Sequence, residues 1–351
     1  MFIIIAILAF GVLVGIHEFG HFVAAKSLGV KVNEFSIGMG PAIFKREKGE
    51  TLYALRCLPI GGYCAMEGED EETDDPRCFT KQSAWKKIVI LSAGSFMNFL
   101  LGLVLVLIIF SQAAGFNAPV ISGFTENNPY EGADGLQVGD EIYSVDGHRI
   151  YFTGNFNLYL NRGADTNYDI VVIRDGERVE LNDFKLEPYE QEDGSMLYGL
   201  RFSVDPPTLG NVLKYSWYTT IDFVRQVWIA LSDLVGGLVG LDDMAGVVGI
   251  VDMINDVGSE TAESQGIGAA LSDIAYLVAF IAVNLAVMNM LPIPALDGGR
   301  VLFVLINAIV HLVSRRRIPA RYEGYVHTAG FVLLIGLMVV VMYNDISRLI
   351  T

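Results

Sequence analysis

Four stretches of the chain stay apolar long enough to cross a bilayer: residues 2–25, 88–110, 269–291 and 326–343. Each approaches or exceeds the roughly 18–20 residues that span a ~30 Å hydrocarbon core as a helix. Residues 88–110 carry no charge, and 2–25 are apolar except for His17, Glu18 and His21. A fifth stretch, 227–251, is broken by Asp233, Asp242, Asp243 and several glycines, and reads as an amphipathic interfacial segment. No Lys or Arg precedes the first stretch and no small-residue cleavage site follows it, which argues against a signal peptide. The pattern predicts a polytopic α-helical membrane protein with four transmembrane helices.

Between the second and third spans the apolar period shortens to two. Residues 119–122, 141–145 and 168–173 alternate as strands do, and Asp146-Gly147 and Asp175-Gly176 punctuate them as turns. A small β-rich domain is expected over 118–188. It is followed by a linker with amphipathic helices over 189–268, where Tyr215, Trp217, Tyr218 and Trp228 suit interfacial anchoring. Residues 1–117 and 269–351 then form the two membrane segments. Within the first, Thr51 to Met66 reads as two extended pieces flanking Pro59 and Gly61-Gly62, and 67–75 as an acidic solvated loop.

Composition sharpens this picture. Of 351 residues, 52% are hydrophobic and 18% charged, the mean hydropathy is +0.43 and the net charge is −16. So much apolar sequence excludes general disorder, and the acidity excludes nucleic acid as the main partner. The negative charge has an address: residues 111–268 hold 25 acids and 8 bases, whereas 26–87 hold ten of each. Five bases in 300–321, Arg315 to Arg317 among them, join those of 26–87 in marking cytosolic segments. Both termini and 111–268 are therefore expected outside. Cys57, Cys64 and Cys78 lie in one cytosolic segment and form no disulfide framework.

His17-Glu18-Phe19-Gly20-His21 sits inside the first span and matches H-E-x-x-H. On a helix the two imidazoles lie one turn apart on one face and can share a zinc ion, with Glu18 beside them to take a proton from water. Ionisable groups at such depth cost about 2.5–3.5 kcal/mol each on insertion scales and are rare without a role. A catalytic zinc needs a third protein ligand. Asp273, Asp297, His311 and His327 are the candidates in apolar sequence. Residues 289–299 contain two prolines that interrupt a helix, and broken backbone at membrane depth is tolerated only where protein or a water-filled cavity surrounds it.

His-Glu-Phe-Gly-His and the downstream Asn289-x-x-Pro292-x-Pro294-x-Leu296-Asp297-Gly298 resemble the two signatures of the site-2 protease family, zinc intramembrane proteases. Residues 35–41, 58–63 and 93–99 are similar to further segments of its bacterial RseP/RasP-type branch, with Ser95 where proline is usual. The 118–188 domain, through residues 135–142 and 145–147, resembles a PDZ domain, of the single-PDZ subtype. Gly246 to Ile250 resembles a Gly-Pro-x-Gly-Ile motif with Val247 in the proline position. The resemblance implies one Zn²⁺ held by His17, His21 and Asp297, with Glu18 as catalytic base. It implies Asn289, Pro292 and Pro294 near substrate, and a membrane-reentrant β element at 58–63. The implied setting is a bacterial cytoplasmic membrane and its lipids. The implied substrates are single-span membrane proteins already trimmed by another protease, such as anti-sigma factors or remnant signal peptides. An exposed β edge could hold an unwound substrate by strand addition. Thr51–Met66 is expected to supply it, with Leu55 and Cys57 on the edge. A peptide-binding scaffold and a metal-lined transporter are the rival classes; a full ligand set with an adjacent glutamate favours the enzyme.

Overall fold

A computed structural model describes residues 1–69, 73–125, 128–162, 166–190, 196–240, 245–315 and 320–350. Asp242, Asp243, Arg316, Arg317 and part of the acidic run, residues 70–72, lie outside the described residues. In chain order, helix α1 (Phe2–Ser27) leads into strands β1 (Val32–Lys48) and β2 (Thr51–Met66), then helix α2 (Ala84–Phe110). Next come β3 (Phe116–Phe124), β4 (Glu141–Val145), β5 (His148–Arg149), α3 (Thr153–Arg162), β6 (Asn167–Arg174) and β7 (Glu177–Lys185). They are followed by β8 (Tyr189–Glu190), β9 (Met196–Leu197), β10 (Leu200–Asp205) and α4 (Leu209–Val235). The chain closes with α5 (Val247–Ser264), α6 (Ile267–Asn289), α7 (Asp297–Ser314) and α8 (Ala320–Ile350). It divides into two units, residues 1–109 with 219–351, and residues 110–218.

In the first unit, long apolar runs become helices because a helix satisfies its backbone within itself. Among the described residues, α1, α2, α6, α7 and residues 322–348 of α8 are long and apolar enough to span a membrane. The chain is thus a multi-pass membrane protein. The four expected spans fall on α1, α2, α6 and α8, and α7 is an addition. Residues 300–321 are expected as a basic cytosolic segment; in the structure their first part is helical, carrying apolar residues such as Val301, Leu302, Val304 and Leu305. The expected interfacial stretch 227–251 is two pieces, the end of α4 and the start of α5.

Small residues let the helices approach closely, as they do where lipid supplies no hydrophobic drive between helices. A Cβ on Gly20 would lie 2.3 Å from the Ala93 carbonyl oxygen, and one on Gly102 would lie 2.6 Å from Val283. Phe2, Ala6 and Leu13 of α1 pack with Ile254 of α5 and Ala270, Ile274 and Ile281 of α6. A second cluster joins Ala25, Val30 and Val32 to Cys64, Met66, Phe79, Ile90 and Leu91. Val247 opens α5, and the Asp345 carboxylate of α8 accepts the N–H groups of Gly246 (3.1 Å) and Gly249 (2.9 Å). Both glycines are close to that carboxylate: a Cβ on either would come within 3.0 Å of it.

Strands β1 and β2 do more than form a hairpin. Residues 34–37 pair with 52–55 on one side and with 62–65 on the other, while 44–48 pair with 51–55. The two strands fold back on themselves at Gly38, Gly40 and Gly61, all with positive φ. The outcome is a sheet with 62–66 at one edge and 42–48 at the other. Leu55 pairs with both Ile37 and Phe44 and so lies inside the sheet. Leu55 is therefore not an edge residue, a correction to that expectation, and within Thr51–Met66 the edge is the last third of β2.

The second unit is an antiparallel sheet ordered β10-β3-β4-β6-β7, with β5 paired to β4 and helix α3 against it. Asp146-Gly147 and Asp175-Gly176 have positive φ at both positions, the conformation of tight two-residue hairpin turns. Because β10 pairs with β3, the unit extends past residue 188. Asp140, fully buried, accepts two hydrogen bonds of 2.8 Å from the Arg174 guanidinium.

Candidate metal centre

Helix α1 carries His17 and His21 four residues apart, so both imidazoles leave the same face. Their Nε2 atoms lie 3.1 Å apart and their rings meet edge to face. The third group comes from the far end of the chain. Asp297 Oδ2 lies 3.1 Å from His17 Nε2 and 3.3 Å from His21 Nε2.

The local sequence explains how Asp297 arrives there. Helix α6 stops at Asn289, and prolines at 292 and 294 prevent it from continuing. Ala295 takes φ 77°, and its N–H donates to His327 Nδ1 at 2.9 Å. Gly298 and Gly299 then press on the preceding turn. A Cβ on Gly298 would lie 2.3 Å from the Met290 carbonyl, and one on Gly299 would lie 2.2 Å from that of Ile293. Only glycine leaves room for this turn, and Asp297 opens α7 directly above it.

The three atoms suit a metal. Four ligands placed tetrahedrally at ~2.0–2.1 Å from zinc stand about 3.3–3.4 Å apart, close to the spacings found. Asp297 Oδ2 is buried and makes no hydrogen bond. His21 Nδ1 lies 2.8 Å from the Ile90 carbonyl oxygen, which can only accept, so the ring hydrogen sits on Nδ1 and the Nε2 lone pair faces the cluster. Converging lone pairs and a carboxylate repel one another unless a cation joins them. Among the described residues this is the one group of three or more His, Cys, Asp or Glu side chains close enough to hold a metal ion.

Helix α2 backs the centre with Gly94. A Cβ there would lie 2.4 Å from His21 Nε2 and 2.8 Å from His17 Nε2. Glu18 flanks the cluster and is held from the sheet side. The Cys64 backbone N–H donates to its carboxylate, and a Cβ on Gly62 would lie 3.4 Å from its Cγ. The sequence does not announce what Ile90, Gly94, Gly62 and Cys64 do here, because all four act through backbone or a missing side chain. The glycines in the 93–99 and 58–63 segments were their only visible sign.

The other candidates fall elsewhere. Asp273 accepts from Thr261, and His311 and His327 line a cavity of about 870 Å³ together with Glu69, Lys87, Arg300 and Glu323. Asn289 is half-buried at the end of α6, Pro292 is exposed, and Pro294 packs where a Cβ on Gly330 would sit, 2.4 Å away. Leu55 and Cys57 are exposed on the sheet and are not in the cluster.

Comparison with known proteins agrees along nearly the whole chain. The description "Peptidase family M50" matches residues 5–337. A Clostridium perfringens protein provisionally named a zinc metalloprotease is 37% identical over 348 residues, covering 99% of this chain and 98% of the relative. The regulator of sigma-W protease RasP of Bacillus subtilis is 28% identical, covering 99% and 98%. The zinc metalloprotease RasP of Bacillus licheniformis is 29% identical, covering 99% of each.

Proposed function

The chain belongs to peptidase family M50 and is a zinc metalloprotease, and we propose that it cuts peptide bonds within the membrane-spanning segments of single-span proteins. The observation that carries this reading is the convergence of His17, His21 and Asp297 on apolar helices, with Glu18 beside them. In this reading those three side chains hold one Zn²⁺. The bound ion supplies Lewis-acid polarisation of a peptide carbonyl and of a water. Glu18 accepts the proton of the attacking water and delivers it to the departing amine nitrogen. Ile90 fixes the His21 tautomer, and the Cys64 N–H orients the Glu18 carboxylate.

A substrate helix must unwind before its carbonyls can be attacked. The edge of β2 at 62–66, beside Glu18, is the place for it to add as an extended strand. In this reading Asn289, Pro292 and Pro294, from the turn that delivers Asp297, contact the bound substrate. Four helices span in this reading, and α7, the shortest and least apolar of the five candidates, lies at the cytosolic interface. The basic segments 26–87 and 300–321 face the cytosol, and the termini and the acidic second unit face outward. That unit reads as a single PDZ domain, from its antiparallel sheet with one helix and its buried Asp140 after Gly135 to Gly139. It acts as a filter that admits substrates already trimmed outside. The name of the B. subtilis relative, a regulator of sigma-W, supports anti-sigma factors as one substrate class; remnant signal peptides are the other.

Glu18→Gln tests the reading. The variant is expected to keep zinc at wild-type stoichiometry and to cleave a transmembrane substrate about 10²–10⁴-fold more slowly. Full cleavage by the variant would refute the mechanism.

A further inference from the structure

Glu69 and Arg300 are 231 residues apart in sequence and form an ion pair, the Arg300 guanidinium donating to Glu69 Oε1. We propose that this pair is a positioning contact that couples the edge strand of the small sheet to the helix carrying Asp297. The inference rests on the reading of Asp297 as a metal ligand and Glu18 as the base.

Each end of the pair is one short step from the centre. Arg300 lies three residues after Asp297 in the first turn of α7, so the two share a rigid turn whose glycines are wedged on residues 290–293. Glu69 follows the edge strand, and its Oε2 accepts the Met66 N–H at 3.4 Å. The same strand touches Glu18 twice, through the Cys64 N–H and through Gly62. One strand therefore holds the base directly and the third ligand through Glu69 and Arg300. Segment 62–66 pairs with β1 on one side, and on the other its Cys64 and Met66 N–H groups are taken by the Glu18 and Glu69 carboxylates. Any movement of this strand as substrate engages loads both contacts together, so the base and the ligand keep their mutual distance. The pair is also sheltered: side-chain exposure is 21% for Glu69 and 31% for Arg300, on the wall of the 870 Å³ cavity. Glu323 of α8 and Lys87 of α2 face Arg300 across that cavity, so the local charge balances without dissolving the pair.

The test uses the full chain in lipid with Arg300→Gln, Glu69→Gln, the double variant and the exchanged pair Glu69→Arg/Arg300→Glu. Three quantities are read: zinc release to a chelator, amide exchange over 62–66, and kcat against KM. Each single variant is expected to release zinc about threefold faster or more, the scale of one partly shielded ion pair. Each should also raise exchange at 62–66 and lower kcat at unchanged KM. The double variant should be no worse than either single, and the exchanged pair should recover part of the loss. Wild-type zinc release and exchange in both singles would overturn the coupling, as would effects that multiply in the double. Should a glutamine variant fail to fold, Arg300→Lys, which keeps the charge but not the planar fork, must show the same defects in weaker form; wild-type values there overturn the proposal. Asp297→Asn separates the layers. Zinc retention in that variant overturns the metal assignment and this inference with it; zinc loss there beside an unaffected Arg300→Gln overturns the coupling alone.

Discussion

Replacing Gly94 with alanine puts one methyl group where a hydrogen was, yet the structure leaves no place for it. The new Cβ would stand 2.4 Å from His21 Nε2, 2.7 Å from His17 Cε1 and 2.8 Å from His17 Nε2. Ordinary carbon contacts begin near 3.5 Å, so the imidazoles or the helices must give by about 1 Å. The imidazoles are poorly placed to yield. His21 of α1 is tied to the Ile90 carbonyl, one turn before Gly94 on α2, so moving the ring away breaks its 2.8 Å hydrogen bond. Nor can the helices part cheaply, because Gly20 of α1 is packed against Ala93 and Gly94. Overpacking of this kind costs about 1–3 kcal/mol, and outer-shell disturbance of a metal site typically costs 10–100-fold in affinity. Gly94→Ala is therefore expected to weaken zinc binding by about tenfold or more and to slow cleavage at least in proportion. Zinc content after chelator dialysis, by elemental analysis, and cleavage in excess zinc are the assays. A variant with wild-type zinc retention and wild-type cleavage would refute the reasoning, since both follow from the same displaced rings.

Gly62→Ala probes the other side of the centre. Its Cβ would meet the Ser36 carbonyl at 2.9 Å and Glu18 Cγ at 3.4 Å, so kcat should fall several-fold while zinc stays bound; loss of zinc with intact turnover per bound ion would contradict this. Asp345→Asn removes an anion from the N-terminus of α5, an effect worth about 1 kcal/mol, and should raise amide exchange in the first turn of that helix. Unchanged exchange there would show that the carboxylate does not hold the turn. Glu67, paired with Lys31 and hydrogen-bonded by Asn33, is held down to about 2 from its usual 4.5. Its folded value is depressed, so its contribution to stability is complete above pH 4.5 and is lost as the pH falls through about 2. Glu67→Gln should flatten that part of the stability profile, measured by thermal unfolding across the window.

What could be read from the sequence, and what could not, divides along a physical line. Continuous apolar runs and a strict period of two are local signals, and α1, α2, α6, α8 and the strands β4 and β6 lie where those signals put them. Two imidazoles at i and i+4 are also local, since one helical turn brings them together whatever else the chain does. The resemblance, not spacing, singled out Asp297 among four candidates, because no local rule brings residue 297 to residue 17. Its arrival depends on Gly298 and Gly299 nesting on residues 290–293, which a sequence shows only as a glycine pair after two prolines. Helix α7 was hidden for a related reason: its basic neighbours at Arg300 and Arg315 suggested a loop, whereas its apolar residues recur at helical spacing between them.

The sheet is the clearest case. Alternation along 51–66 announces extended structure and nothing about which stretch ends at an edge. Three positive-φ glycines fold β1 and β2 back so that 51–55 acquires neighbours on both sides and 62–66 keeps only one. Register is a property of two strands at once, and a one-residue change exchanges the faces. The same fold-back brings Gly62 and Cys64 to Glu18. A fully extended hairpin of the same residues would carry that segment away from α1 and leave the Glu18 carboxylate without its backbone donor. The edge proposed to receive a peptide and the strand that steadies the base are thus one segment, and neither role is visible until the glycines at 38, 40 and 61 have turned the chain.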